Sequence, residues 1–373
     1  MDHRPGVNGF SVRYSEYSYL DGDNAFDQLP AQATTFEMPG AWGGWMDAVD
    51  FDRRNEHMIV SAYLNLIYEL APEKFTDGQL NLPESGNGLP DVLDEAYWGI
   101  DLFRRLKGPT EGICGGLEAN DHPLQGEASW TDSTPWFAYA EDPVSSYRLA
   151  GVLAQMAWVL ELAGVSDSTS TFIQEARAAY NWAEDNPAPA HTVQSQELRA
   201  YAAACLFKLG GEDRFHQDFL SYYNAFDYAA LGNKLPENDT WHQLAVWMYI
   251  TTNRPDVDTD VQTALRNLHT NLADFLLLPV EERACRVAGN YWSPPVVGRT
   301  LSTPETLPLL VQYELAGASN YLKYLYSSAD YALGNNALNM TWVTGLGDRS
   351  PRNPAQIDGS YDDVDGPIPG IVP

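Results

Sequence analysis

Cysteine is scarce. Cys114, Cys205 and Cys285 are the only three in 373 residues, too few and too scattered for a disulfide framework and without the close pairing that holds a metal. They read as small buried hydrophobes. Positive charge is short as well: 22 Lys and Arg stand against 51 Asp and Glu, a formal net charge of −29. So acidic a surface repels the phosphate row of a nucleic acid and tolerates a neutral glycan far better than an anionic one, which excludes nucleic acid as an expected partner. No apolar run is long enough to span a bilayer, so no membrane partner is expected either. The start, Met1-Asp2-His3-Arg4-Pro5, has no hydrophobic region behind its charge, and no secretory signal is legible. Histidines such as His57, His122, His191, His216, His242 and His269 lie scattered, with no paired zinc spacing.

Apolar and aromatic material is plentiful. The hydrophobic fraction is 44%, with 11 Trp, 21 Tyr and 13 Phe, so a packed core is expected. Helical periodicity dominates and no stretch reads as a series of alternating strands. Met58, Ala62, Leu66 and Leu70 form one stripe, with Ile59, Tyr63 and Ile67 beside it. This spacing predicts a helix from near Arg53 to Pro72, and Asp50 and Asp52 precede its first turn, where carboxylates suit unpaired backbone donors. Ser85-Gly86-Asn87-Gly88-Leu89-Pro90 announces the next helix, carried by Leu93, Ala96 and Ile100 and stopped by Gly108-Pro109. Further helices are predicted over 145–164, 168–185, 194–210, 214–231, 238–252, 257–278, 303–317 and 320–334, ten in all. The pattern is all-α. Successive helix pairs without a fixed repeat or a low-complexity linker favour one closed domain over 1–373, with irregular cleft loops near 30–50, 108–143 and 345–373.

The most informative stretch is Gly43-Gly44-Trp45-Met46-Asp47-Ala48-Val49-Asp50. Its glycines permit close backbone approach, and its two carboxylates have a spacing that can aim both at one water. Hydrolysis of a sugar bond with inversion needs such a carboxylate base on one side and a protonated acid on the other. The competing reading is that both aspartates cap a helix. Trp42, Trp45, Trp130, Trp136 and Trp292 sit in glycine- or proline-rich connections and are candidates for stacking on sugar rings. Trp98, Trp158, Trp182, Trp241 and Trp247 fall inside helical patterns and read as core. Asp91, Asp94 and Glu95 open a helix, where they can bind calcium, anchor a loop or face water.

At this point the sequence resembles the catalytic domain of glycoside hydrolase family 9. The family's glycine-glycine-tryptophan segment and Asp-Ala-Gly-Asp motif are matched by residues 43–50. Ser85-Gly86-Asn87-Gly88-Leu89-Pro90-Asp91-Val92-Leu93-Asp94-Glu95-Ala96-Tyr97-Trp98-Gly99 gives a second match. Tyr331-Ala332-Leu333-Gly334, Trp342-Val343-Thr344-Gly345-Leu346-Gly347 and Arg349-Ser350-Pro351-Arg352 form a third, and Gly366-Pro367-Ile368-Pro369-Gly370 a fourth. The resemblance implies an (α/α)6 barrel of twelve helices with the cleft across one end. It further implies inverting hydrolysis of β-1,4-glucosidic bonds in cellulose or a related β-glucan. In that reading Asp50 is the base that activates water and Asp47 helps to hold it, while Arg349, Arg352 and Gln356 contact the sugar.

Two departures stand out. Val49 replaces the motif's glycine, and Pro354-Ala355-Gln356-Ile357-Asp358 replaces a histidine pair and arginine. The family's acid, a glutamate beyond the segment matching 366–370, is expected beyond Pro373, and the first and last barrel helices are expected to be lacking. Whether the chain is active as it stands is therefore open. The alternatives are a noncatalytic glycan-binding or scaffold domain and an exo-acting hydrolase of amino-sugar oligosaccharides. The resemblance implies no cofactor for the chemistry, a structural calcium near Glu141 and Asp142 as an option, and an extracellular or periplasmic setting.

Overall fold

Burial of helical stripes accounts for most of the architecture in the computed structural model, which describes residues 11–22, 24–47, 49–165, 168–237, 239–289, 306–362 and 364–372. The chain divides into two units, Met1–Ala225 with Thr251–Asp256, and Phe226–Ile250 with Val257–Pro373. All ten expected helices are present. No described helix is long and apolar enough to cross a membrane.

The first unit contains, in chain order, β1 (Val12–Ser15), α1 (Ala25–Ala31), β2 (Ala33–Glu37), β3 (Arg53–Arg54), α2 (Met58–Leu70), α3 (Asp91–Arg105), β4 (Gly116–Ala119) and β5 (Trp136–Ala138). After these come α4 (Pro143–Leu162), α5 (Thr169–Asp185), α6 (Thr192–Gly210) and α7 (Asp213–Ala225). The unit is built around α4, which is buried almost throughout and packs against α2, α5 and α6. Its start is set by Asp142, whose carboxylate accepts the Ser145 N–H at 2.7 Å and the Ser145 hydroxyl at 2.8 Å, with Pro143 in the first turn. Gly151 allows α4 and α6 to close up, since a Cβ there would run into the Tyr201 ring. The Tyr201 hydroxyl in turn donates to Gln155 Oε1 at 2.6 Å. An ion pair between Lys208 and Glu69 is buried beside these helices. It is completed by Trp158 Nε1 donating to Glu69 at 3.0 Å and by Lys208 donating to Thr251 at 2.8 Å, so neither charge is left unpaired.

The sheet was not legible beforehand. Among the described residues, five short strands run in the order β2-β1-β5-β4-β3, with β1 and β5 parallel and the other pairs antiparallel. Strands of two to five residues are too short to establish a period of two. Two of them lie inside the stretch 108–143 that read as irregular. Phe137 of β5 joins Tyr17, Leu29 and Tyr139 in one apolar cluster.

In the second unit, α8 (Thr240–Ile250), α9 (Thr259–Leu277), α10 (Leu307–Ala316) and α11 (Leu322–Ala332) carry the core, with α9 packed on α8 and α10. Asp258 caps α9 by accepting the Asp260 and Val261 N–H groups, both at 3.0 Å. The final motifs are stapled by Thr344. Its N–H donates to Ile371 O at 2.9 Å, its carbonyl accepts from Gly370 at 2.9 Å, and its hydroxyl donates to Ile368 O at 2.6 Å.

Two histidines are buried here, His242 and His269. Burial lowers both to about 4, a neighbouring Gln312 opposing the shift at His269. Each takes up its proton near 6.5 when unfolded but only near 4 when folded, so stability falls as pH drops through that interval. The limit is about 1.4 kcal/mol per histidine per pH unit. Urea melts between pH 7 and pH 4 should show this loss, and replacing both residues by Gln should flatten it. An equal pH dependence in the double variant would contradict it.

Candidate active site

The loop that carries Asp47 and Asp50 is bolted to α3 before it reaches them. Gly43 and Gly44 take left-handed φ angles of 82° and 73°, and a Cβ on Gly44 would lie 2.7 Å from the Leu102 side chain. The Trp45 ring rests directly on Gly99, where a Cβ would strike both the ring and Ser61 Oγ, the latter at 2.7 Å. Trp45 Nε1 donates to Glu95 Oε1 at 2.8 Å, and its carbonyl meets His57 Nδ1 at 3.1 Å. Arg105 secures the approach by donating to Gly40 O at 2.5 Å and Trp42 O at 2.9 Å, with its guanidinium 4.0 Å over the Trp42 ring. Trp42 and Trp45 are thus half-buried anchors of the loop. Trp98, expected in the core, is 39% exposed, and its ring borders Gly43.

Beyond Trp45 the chain turns back on itself. The Asp47 N–H donates to Asp52 O at 2.9 Å and the Phe51 N–H to Asp47 O at 3.3 Å. The turn needs Phe51 in a left-handed conformation, φ 62°, which burial of its ring sustains. Asp47 is exposed, with Oδ1 accepting weakly from Val49 N–H at 3.4 Å. Asp50 is half-buried, and its sheltered Oδ1 has no hydrogen-bond partner among the described residues. Val49, in place of the motif's glycine, is 45% exposed.

Behind the turn lies a polar cluster that the sequence did not single out. Asp52 and Glu118 are both buried and share Arg54, whose Nη2 lies 2.6 Å from Asp52 Oδ2 and 3.2 Å from Glu118 Oε1. The Tyr139 hydroxyl donates to Glu118 Oε2. Burial first, then the charges of Glu118 and Asp50, push the Asp52 carboxyl up to about 8 against the opposing pull of Arg54. Arg54, Glu118, Glu56, Tyr19, Phe26 and Tyr139 help to line a hollow of about 760 Å³, within the size range of small-ligand clefts. Neither Asp47 nor Asp50 lines it. The only sequence signal for this cluster was the position of Asp52 ahead of α2, since Glu118 lies in β4 and Tyr139 just after β5, strands that pattern alone did not reveal.

The remaining expected residues are dispersed. Trp136 is corrected as a stacking candidate: it is 2% exposed, its Nε1 donates to Asp132 at 2.7 Å and the Arg53 guanidinium lies 5.0 Å over its ring. Trp130 is half-buried. Trp292 lies outside the described residues. Arg349, Arg352 and Gln356 belong to the second unit. Both arginines are exposed; Gln356 Oε1 accepts from Gly359 N–H, and Arg352 and Gln356 border a hollow of about 230 Å³.

Asp91 and Asp94 hold a loop. Asp91 accepts from Gly78 N–H at 2.7 Å, Leu80 N–H at 2.5 Å and the Ser85 hydroxyl at 3.0 Å, while Asp94 accepts from Asn87 at 2.8 Å. Near the segment where calcium was considered, Glu141 accepts from Thr110 N–H at 3.0 Å and from its hydroxyl, and Asp142 caps α4. Among the described residues no group of three or more His, Cys, Asp or Glu is placed to hold a metal ion.

The described residues fold as a mainly helical domain, and the comparisons make its class specific. The sequence profile of Glycosyl hydrolase family 9 matches residues 11–370, and the chain belongs to that family. It is similar to the xyloglucan-specific endo-β-1,4-glucanase of Bacteroides ovatus, 24% identical over 88% of this chain and 60% of that protein. The cellulose 1,4-β-cellobiosidase of Acetivibrio thermocellus is 25% identical over 88% of this chain and 42% of that one. Among solved structures, the Bacteroides ovatus family 9 protein superposes with a TM-score of 0.80 at 20% identity, covering 97% of this chain and 68% of that chain. A metagenome-derived family 9 endoglucanase gives 0.76 at 24% identity, covering 95% and 65%. These likenesses agree with the (α/α)-barrel class expected from the sequence. The chain spans only 60% and 42% of the two curated relatives.

Because the seat of Trp45 fixes the loop, Gly99→Ala should cost about 1–3 kcal/mol through overpacking. Chemical denaturation with tryptophan fluorescence measures this directly. Wild-type stability and an unchanged spectrum would mean that Trp45 does not rest on Gly99.

Proposed function

We propose that this chain hydrolyses β-1,4-glucosidic bonds of cellulose or a related β-glucan with inversion at the anomeric carbon. Asp50 takes the proton of the attacking water, and Asp47, one turn away and exposed, helps to hold that water. The observation that supports this reading is the state of Asp50: it is half-buried in a closed turn, and its sheltered Oδ1 makes no hydrogen bond among the described residues. A carboxylate that merely capped a helix would be spent on backbone N–H groups. In an inverting mechanism the base deprotonates water on one face of the sugar while an acid, about 6.5–9.5 Å from it, protonates the departing oxygen on the other. Both roles fall to carboxyl groups, so the proposed chemistry calls for no cofactor. The relatives' names, a xyloglucan-specific endo-β-1,4-glucanase and a cellulose 1,4-β-cellobiosidase, support the β-1,4-glucan class. Action on such polymers also suits an extracellular setting.

Binding without cleavage is the second reading. It is favoured by Val49 in place of the motif's glycine and by Ala355-Gln356 in the segment that replaces the histidine pair. Reducing-sugar release from cellulose, mixed-linkage glucan and xyloglucan separates the two, assayed in the chain and in any longer natural polypeptide that carries it. Asp50→Asn should lower kcat by about 10²–10⁴-fold while calorimetry finds oligosaccharide affinity within about threefold of wild type, because the amide nearly preserves shape. Binding with no release by either polypeptide would establish the second reading.

A further inference from the structure

Of the described methionines, Met46 alone is exposed, at 37%. Met38, Met58, Met156 and Met248 are buried and Met340 is half-buried. Met46 also stands between two fixed points. Trp45 before it rests on Gly99, and the N–H of Asp47 after it closes the turn on Asp52 O at 2.9 Å.

Its thioether has a charged partner. Arg53 Nη2 donates to Met46 Sδ at 3.0 Å. Arg53 is 2% exposed, and its Nε and Nη1 make no hydrogen bond among the described residues. The backbone of Arg53 is fixed in β3 opposite Leu117, and its guanidinium lies 5.0 Å over the Trp136 ring. A buried guanidinium ordinarily takes carboxylate or carbonyl oxygens. Here its single hydrogen bond goes to a thioether, a weak acceptor. A sulfoxide oxygen accepts far more strongly, so Arg53 suits the oxidised form of Met46 better than the reduced one. Being buried, Arg53 takes the inward lone pair of the sulfur and leaves the outward one to solvent.

We propose that Met46 is a modification site: a peroxide oxidises it to a single sulfoxide epimer, Arg53 captures the new oxygen, and the capture displaces the Asp47–Asp52 turn. With hydrogen peroxide, the outward lone pair of the sulfur attacks one peroxide oxygen. The S–O bond forms as the O–O bond breaks, and water leaves; sulfur is oxidised by two electrons and the peroxide is reduced by two. Rotation about the Cγ–Sδ bond then brings the oxygen to Arg53 Nη2, where it stands between sulfur and nitrogen. Arg53 is held by β3 and by Trp136, so Met46 gives way and Asp47 moves with it. Only the consequence for turnover rests on the reading of Asp47 and Asp50 as the pair that handles the water.

The test uses the intact protein and hydrogen peroxide. Peptide mass spectrometry should find oxygen at Met46 before Met340 or any buried methionine. The two methionine sulfoxide reductases each act on one epimer. Applied to the peptide released by proteolysis, one should reduce the Met46 sulfoxide completely and the other should leave it untouched. Arg53→Met, which frees the inward lone pair, should yield both epimers. Hydrogen exchange over residues 46–52 should quicken about tenfold on oxidation, as the Asp47 and Phe51 N–H bonds loosen. Turnover of glucan should fall about 10–100-fold, and Met46→Leu should show neither response to peroxide. Equal amounts of the two epimers from the wild type overturn the proposal, as does a Met46 sulfoxide whose turn exchanges at the unoxidised rate. If the protein turns over no glucan before oxidation, the proposed function fails, and the epimer and exchange measurements still decide whether Arg53 captures the oxygen.

Discussion

A tryptophan ring rests on a helix at the one point where the helix has no side chain, and the placement of the Asp47–Asp50 turn follows from that contact. Trp45 on Gly99 brings the loop within the reach of α3. Glu95 then takes the indole N–H, and Arg105 takes the carbonyls of Gly40 and Trp42. Dispersion and burial supply the attraction, and the two polar clamps remove the freedom to slide. Only after this does the chain make the tight turn that presents two carboxylates.

The other end of the turn is held as firmly. Asn55, just after β3, donates to Ser145 Oγ at 2.6 Å, accepts from Arg148, and sends its own N–H to Gly115 O at 3.0 Å. One buried amide thus joins the start of α2 to the start of α4 and to the strand region. Asp142 completes the joint by ordering Ser145. The loop is consequently a bridge between two rigid supports, which is the arrangement a carboxylate base requires if its direction is to be reproducible.

Much of this was legible in the sequence, for reasons that differ from residue to residue. Stripes such as Met58, Ala62 and Leu66 revealed the helices because a buried helical face must repeat near every fourth residue. The residues 43–50 stood out because glycines, an aromatic ring and two acids seldom occur so close without a geometric purpose. What escaped was the cross-chain pairing. Glu118 and Tyr139 meet Arg54 only because short strands align them, and strands of two to four residues leave no periodic trace. Burial of Trp136 was equally hidden, since a tryptophan in a polar, glycine-rich stretch looks the same whether Arg53 covers it or a sugar does. Trp98 shows the converse: it falls at a helical position yet faces outward beside Gly43.

The central claim is that Asp50, steered by its closed turn, activates a water that attacks the anomeric carbon from the face opposite the leaving group. Proton NMR of the first sugar released from a β-1,4-linked oligosaccharide tests this most directly. The account predicts the α-anomer as the initial product, converting to the equilibrium mixture only afterwards. Initial appearance of the β-anomer would contradict it, because retention requires a carboxylate bonded to the sugar where this account has water.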